Sequence, residues 1–295
     1  MSSTPVFTGV CTALVTPFTN DKVDLKALDA LIDRQIDAGV PALLACGTTG
    51  EPSTLTDAEW TLVVRRVIER ANGRACVIAG TGSNHLLHTL EKARIARDLG
   101  ADAQLCVTPY YNKTTQPGLI SFFSRIADST DLPIILYNVP GRTGLNMQPD
   151  TIEALSHHPN IVGVKEAGGS LNAMADIMRA CRLPLYCGND ECNVSALRLG
   201  ASGLISVLSN LLPRETVQLF KEVSQGLIQT AEARQKSLQR LIQALFIEVS
   251  PVPVKQALAC LSLMQPDVRL PLVRMQAEHL RILQAAMQEK GLLIN

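Results

Sequence analysis

Eight short apolar runs alternate with eight longer segments of helical periodicity between residues 9 and 224. The runs fall at 9–16, 42–45, 76–79, 103–107, 133–137, 161–165, 185–187 and 203–206. The helix-like segments fall at 25–38, 56–71, 86–99, 119–129, 151–156, 173–181, 194–199 and 214–224. Strands separated by helices return parallel, and eight such units close into a barrel. An open doubly wound sheet shares the alternation but usually carries a Gly-x-Gly-x-x-Gly turn after its first strand. The first run of this chain ends instead in Thr16-Pro17-Phe18. The pattern therefore predicts the α/β class, a TIM (β/α)8 barrel over residues 1–225. Beyond Gln225 the alternation stops, and helical segments at 227–248, 255–263 and 272–291 are broken by Pro251-Val252-Pro253 and Gln265-Pro266-Asp267. Residues 226–295 read as a C-terminal helical domain that packs on the barrel or on another subunit.

Hydrophobic residues make up 46% of the 295-residue chain, ample for one large core. Lys+Arg and Asp+Glu are 27 each, so no basic stripe points to nucleic acid and no polybasic cluster to an anionic membrane. Residues 1–8 lack a basic segment followed by an apolar one, and no apolar run is long enough to span a bilayer. The expected compartment is the cytoplasm. The eight cysteines form no Cys-x-x-Cys pair and sit mostly in apolar runs, as expected of small buried side chains in a reducing compartment.

The active site of such a barrel lies at the carboxyl ends of its strands. The residues that follow the apolar runs are Gly47-Thr48-Thr49-Gly50-Glu51, Gly80-Thr81-Gly82-Ser83-Asn84, Thr108-Pro109-Tyr110-Tyr111-Asn112, Tyr137-Asn138-Val139-Pro140-Gly141-Arg142-Thr143-Gly144, Lys165-Glu166, Gly188-Asn189-Asp190 and Ser206. Lys165 follows Ile161-Val162-Gly163-Val164 directly, which places its amine in the barrel mouth. An apolar setting disfavours the ammonium. Holding a lysine neutral near pH 7 requires about 4–5 kcal/mol from its surroundings, which burial and a nearby cation such as Arg142 can supply. A neutral amine attacks carbonyls and forms Schiff bases. The alternative is a structural lysine paired with Glu166 or a backbone carbonyl.

Tyr137 is either a proton shuttle for that chemistry or a core tyrosine. Thr48, Thr49 and Gly50 either cradle a carboxylate or cap the following helix. Tyr110-Tyr111 is an exposed turn or a subunit contact. Arg142, in a Gly-rich loop, grips a carboxylate or is simply solvated. His85 and His88 share a helix face without a carboxylate or cysteine at ligand-like spacing, and His157-His158 precedes a proline, so no metal site is expected. Gly80-Thr81-Gly82 lacks the Gly-Lys-Ser/Thr of a phosphate loop. No phosphate cradle or pyridine-nitrogen partner for pyridoxal phosphate is identifiable, and the expected cofactor requirement is none.

The motifs Gly47-Thr48-Thr49-Gly50-Glu51, Thr108-Pro109-Tyr110-Tyr111, Tyr137-Asn138-Val139-Pro140-x-Arg142-Thr143-Gly144 and Gly163-Val164-Lys165-Glu166 resemble, in order and spacing, the dihydrodipicolinate synthase family. That family belongs to the class I, pyruvate-dependent aldolases related to N-acetylneuraminate lyase. The likeness runs through Pro251-x-Pro253-Val254-Lys255. It implies condensation of pyruvate with L-aspartate 4-semialdehyde in lysine and diaminopimelate biosynthesis. In that scheme Lys165 captures pyruvate, Tyr137 moves protons, and Thr48 and Tyr111 complete the relay, Tyr111 reaching in from a neighbouring subunit. Thr49 and Ile205 line the pyruvate site, with Gly188 as a further substrate-binding position, and Arg142 meets the second substrate's carboxylate. The resemblance also implies a homotetramer built as a dimer of dimers.

Lysine-inhibited relatives of this kind use a serine, a histidine, an asparagine, a glutamate and a tyrosine where this chain has Pro52, Trp60, Asn84, His88 and Tyr110. Only the asparagine and tyrosine remain, so feedback by lysine is expected to be weak or absent. Ser250, in a helical segment, stands where an asparagine is common. Two other readings are a pyruvate-dependent lyase of a 2-keto-3-deoxy sugar acid or sialate, which Arg142 disfavours, and a silent barrel serving as sensor or scaffold, which would have lost Lys165 or Tyr137.

Overall fold

A computed structural model describes residues 4–293, so the first three residues of the 1–8 segment and the last two of the 226–295 region lie outside the described residues. Eight parallel strands close into a barrel: β1 Gly9–Ala13, β2 Ala42–Ala45, β3 Cys76–Gly80, β4 Ala103–Val107, β5 Ile134–Asn138, β6 Ile161–Glu166, β7 Leu185–Cys187 and β8 Gly203–Ser206. β8 pairs with β1 in the register Cys11↔Ile205, which completes the ring. The helices between strands are α1 Leu25–Asp37, α2 Asp57–Ala71, α3 Leu86–Leu99, α4 Gln116–Ala127, α5 Pro149–Ser156, α6 Leu171–Ala180 and α7 Asn193–Leu199, followed by α8 Pro213–Ser224. α9 Ile228–Leu245, α10 Val252–Cys260 and α11 Ala277–Glu289 form the C-terminal region.

Local chemistry explains these elements. Thr56 caps α2 and exchanges hydrogen bonds with Glu59, a capping box written in the sequence as Thr-x-x-Glu. Trp60, Val63, Val64, Val67 and Ala71 then recur at helical spacing and face the barrel. Asp24 caps α1, whose buried face is Leu28, Leu31, Ile32 and Gln35. Successive strand residues point to opposite faces. The inward set includes Cys11, Ala42, Leu44, Ile78, Leu105, Ile135, Tyr137, Tyr186 and Ile205, which fill the barrel interior. The outward set, such as Val10, Leu43, Val77, Leu136 and Val164, packs under the helices. A third cluster joins the C-terminal helices to Val15, Leu31, Val207, Leu208 and Leu211 of the barrel.

Several expectations need correction. The first strand stops at Ala13, because the chain leaves the barrel and enters a short hairpin of Phe18–Thr19 with Lys22–Val23. The break expected at Pro251-Val252-Pro253 falls earlier, over 246–251: Pro251 caps α10, and Val252 and Pro253 belong to its first turn, where a proline forfeits no hydrogen bond. Ser250 lies in the connection before α10 rather than in a helix. Arg142 lies on a helical turn, Pro140–Thr143, not in an irregular loop. His85 is the residue preceding α3, so it shares no helix face with His88.

Candidate active site

The rim at the carboxyl ends of the strands opens into a cavity of about 300 Å³ whose walls include Thr48, Tyr110, Tyr137, Val139, Arg142 and Ser250. β5 and β6 pair in the register Tyr137↔Lys165, so both side chains project from neighbouring strand ends. The pleat turns them into the barrel, and Lys165 Nζ lies 4.3 Å from the centroid of the Tyr137 ring. Lys165 is 6% exposed and Tyr137 5%. Lys165 lies at the carboxyl end of β6 against Tyr137, which lines the cavity.

The same pleat excludes a pair between Lys165 and Glu166, because adjacent strand residues face opposite ways. The Glu166 carboxylate instead accepts from Asn138 Nδ2 (2.8 Å) and from the backbone N–H of Gly168 (2.6 Å). Burial raises its carboxyl above the ordinary range despite those bonds. Among the described residues, Lys165 makes no ion pair.

The structure brings Thr48, Tyr110, Tyr137 and Arg142 onto one cavity. Thr48 and Thr49 belong to a helical turn, Thr48–Gly50, after β2, with Thr49 buried. Ile205 is 1% exposed and sits in the barrel interior at the end of β8. Arg142 Nη2 donates to the carbonyl of Ser250 (3.0 Å), leaving the guanidinium anchored but solvent-facing. Gly188 has no room for a side chain: a Cβ there would lie 2.7 Å from Lys165 Cε. Gly80 is equally constrained, since its Cβ would meet the Cys46 carbonyl at 2.2 Å. Tyr111 is set apart from these residues. It is 93% exposed and adopts φ 67°, a left-handed conformation that costs a tyrosine about 1–3 kcal/mol.

Pro52 and Tyr110 also line the central cavity. Trp60 is fully buried beneath α2, its indole N–H donating to the carbonyl of Gly80 (3.1 Å), and Lys92 Nζ stands 5.3 Å from its ring. His88 Nε2 lies 3.0 Å from Asp57 Oδ1, and the Asn84 carbonyl accepts from Asn112. The five positions therefore do not converge on a single cavity: Trp60 is turned into the core.

Two groups went unassigned in the sequence. Glu51, directly after the Thr48–Gly50 turn, is buried and pairs with Lys255 of α10 at 2.5 Å. Its second oxygen accepts from the backbone N–H of Arg269 (3.2 Å). Asp190 accepts from Ser206 Oγ (2.6 Å) and from the N–H groups of Val207 (2.9 Å) and Leu208 (2.8 Å), which pins the chain just beyond Ile205. An acidic residue on the functional rim was the available signal for both. No group of three or more His, Cys, Asp or Glu able to share a metal occurs among the described residues.

A closed (β/α)8 barrel with a buried lysine stacked on a tyrosine at the carboxyl ends of adjacent strands defines a lyase of the class I aldolase type. The chain matches the model of the Dihydrodipicolinate synthetase family over residues 6–290, and it belongs to that family. The 4-hydroxy-tetrahydrodipicolinate synthase of Acetivibrio thermocellus is 44% identical over 291 residues, covering 98% of this chain and 99% of that one. The dihydrodipicolinate synthase of Thermotoga maritima superposes with a TM-score of 0.96 at 38% identity, over 98% of this chain and all of that one. The Acinetobacter baumannii enzyme, solved in complex with pyruvate, gives 0.95 at 39% identity over 97% and 99%.

Proposed function

We propose that this chain condenses pyruvate with L-aspartate 4-semialdehyde through a Schiff base on Lys165, giving 4-hydroxy-tetrahydrodipicolinate for lysine and diaminopimelate biosynthesis. The observation that carries the reading is the buried Tyr137–Lys165 pair, 4.3 Å from ring centroid to amine, beside a cavity rimmed by Arg142. The amine adds to the keto carbon, and the carbinolamine loses water to form the imine. Tyr137 donates the proton to the departing hydroxyl and exchanges protons through Thr48 and Tyr111 of the partner subunit. Loss of a methyl proton gives the enamine, whose carbon attacks the aldehyde. The second substrate's amine then displaces Lys165 at the imine carbon and closes the six-membered ring. Thr49, Ile205 and Gly188 hold pyruvate, and the Arg142 guanidinium grips the semialdehyde's carboxylate.

The exposure of Tyr111 supports a subunit-spanning role and hence at least a dimer, with a homotetramer as the assembly proposed. Residues 1–225 act as the catalytic barrel and 226–295 as its helical buttress. No helix among the described residues is long and apolar enough to cross a membrane, in keeping with the cytoplasm as the compartment proposed. The inward-turned Trp60 and the His88–Asp57 contact support weak or absent inhibition by lysine.

Borohydride added in the presence of pyruvate tests the mechanism, because it reduces the imine to a stable secondary amine. The expected result is one adduct per chain on Lys165, and its absence overturns the reading. A coupled assay with aspartate semialdehyde, run beside 2-keto-3-deoxy sugar acids and sialate, tests the second substrate. Turnover confined to the sugar acids would refute the assignment of Arg142.

A further inference from the structure

Cys187 ends β7, and Cys192 follows it after a four-residue loop, at the entrance to α7. Their Sγ atoms lie 3.8 Å apart, and both approach the carbonyl of Asn189, at 3.3 and 3.5 Å. No other two thiols among the described residues are in hydrogen-bonding contact. Cys187 is buried under the helix layer, whereas Cys192 is half-buried. The hydrogen bond from Cys187 pulls the Cys192 thiol below its ordinary value, and the same contact with burial raises Cys187. The less buried Cys192 is the thiol placed to react first, with Cys187 behind it to resolve the product.

The loop between them has little slack and carries two supports of the active site. Gly188 packs against the stem of Lys165, where even a Cβ would clash, and its N–H donates to the carbonyl of Glu166 at 2.8 Å. Asp190 holds the chain beyond Ile205 through Ser206 Oγ and two N–H groups. The carbonyl of Asp190 accepts from Gln235 Nε2 of α9 at 2.9 Å.

We propose that Cys187 and Cys192 form a thiol–disulfide site, closed by a peroxide, that disables Schiff-base formation at Lys165 by shifting the intervening loop. The Cys192 thiolate attacks one oxygen of the peroxide, breaking the O–O bond and forming a sulfenic acid, with the other oxygen leaving as water. The Cys187 thiol attacks that sulfur and expels a second water. The two thiols lose two electrons and two protons, and the peroxide is reduced to two waters. Closure must bring the sulfurs from 3.8 Å to about 2.0 Å, and Gly188, next to Cys187 in the chain, has no room for even a methyl towards Lys165 Cε, so a shift of this residue acts on the catalytic lysine.

The inference rests on the Schiff-base reading of Lys165, and the test separates the two. Reduced full-length protein is treated with hydrogen peroxide, alkylated, digested with trypsin and weighed, and a parallel sample is trapped with pyruvate and borohydride. The tryptic peptide of residues 183–198 holds both cysteines, so closure leaves it two hydrogens lighter and without alkyl groups. The expected trapping rate falls about tenfold on oxidation, recovers with a thiol reductant, and is insensitive to peroxide in Cys192→Ser. If reduced protein fails to trap pyruvate, the Schiff-base reading itself is wrong. If it traps but the peptide remains doubly alkylated, or trapping is equal in both states, the thiol–disulfide proposal is overturned. A Cys192→Ser protein that stays peroxide-sensitive overturns it as well.

Discussion

Replacing Lys255 by methionine isolates the charge that ties the C-terminal helices to the catalytic rim. Lys255 and Glu51 are 0% and 2% exposed at their side chains, and their charged atoms are 2.5 Å apart. Burial lowers the ammonium of Lys255, and Glu51 pulls it back towards its ordinary value. Its Nζ also stands 4.2 Å from the centroid of the Phe18 ring, and methionine nearly matches the length of the side chain without the charge. The substitution removes the partner of a buried carboxylate together with the ammonium's contact with the Phe18 ring. Glu51 is left with one hydrogen bond, from the Arg269 N–H. Breaking one side of a buried pair costs about 3–5 kcal/mol, a large share of a protein's net stability. Neutralising both sides in Glu51→Gln/Lys255→Met is expected to restore about 1–2 kcal/mol relative to Lys255→Met alone. The single tryptophan, Trp60, is fully buried and reports global unfolding by fluorescence in a denaturant titration at fixed protein concentration. A loss below about 1 kcal/mol for Lys255→Met, or a double variant that loses the sum of both singles, would refute the reasoning. Because Glu51 adjoins the Thr48–Gly50 turn, the same single variant should raise KM for pyruvate.

Tyr137→Phe should keep the fold and lower kcat by about 10²–10⁴-fold, the usual range for a lost acid–base group, measured by the coupled assay. Gly188→Ala drives a methyl to within 2.7 Å of Lys165 Cε and of Ala167 Cβ; trapping with borohydride should slow at least about tenfold, with unfolding free energy lower by about 1–3 kcal/mol. Glu59 is held at about 2, against an ordinary 4.5, chiefly by the hydrogen bond from Arg269. A depressed carboxyl stabilises the fold above its unfolded value and loses that contribution as pH falls through its folded value. The stability gap between the parent and Arg269→Met should therefore be widest above pH 4.5 and narrow towards pH 2, read from unfolding midpoints across that range. Ten-millimolar-scale lysine, about the order at which weak surface sites fill, should leave initial rates within about twofold; strong sub-millimolar inhibition would show that the inward turn of Trp60 does not block the effector site.

The amino-acid sequence by itself determined the eightfold alternation and hence the barrel, because apolar periodicity is set by which face of each element must leave water. It marked Lys165 and Tyr137 as strand-end residues, and several elements, such as Ala42–Ala45, Leu86–Leu99 and Gly203–Ser206, keep the bounds read from the chain. The resemblance, not the spacing, assigned roles to Thr48 and Tyr111. Tertiary structure decided what distant segments do to one another. The Glu51–Lys255 pair joins residues 204 positions apart, the Asp190 clamp reaches 16 to 18 positions ahead, and the Cys187–Cys192 contact depends on how a four-residue loop folds over its own carbonyl. Whether Lys165 could pair with Glu166 was open in one dimension and closed in three: the pleat of β6 sends one side chain into the barrel and the other under the helices. Local sequence carries hydrophobic period and capping chemistry, whereas a buried polar group's partner is chosen by packing, which brings together atoms that the chain order keeps apart.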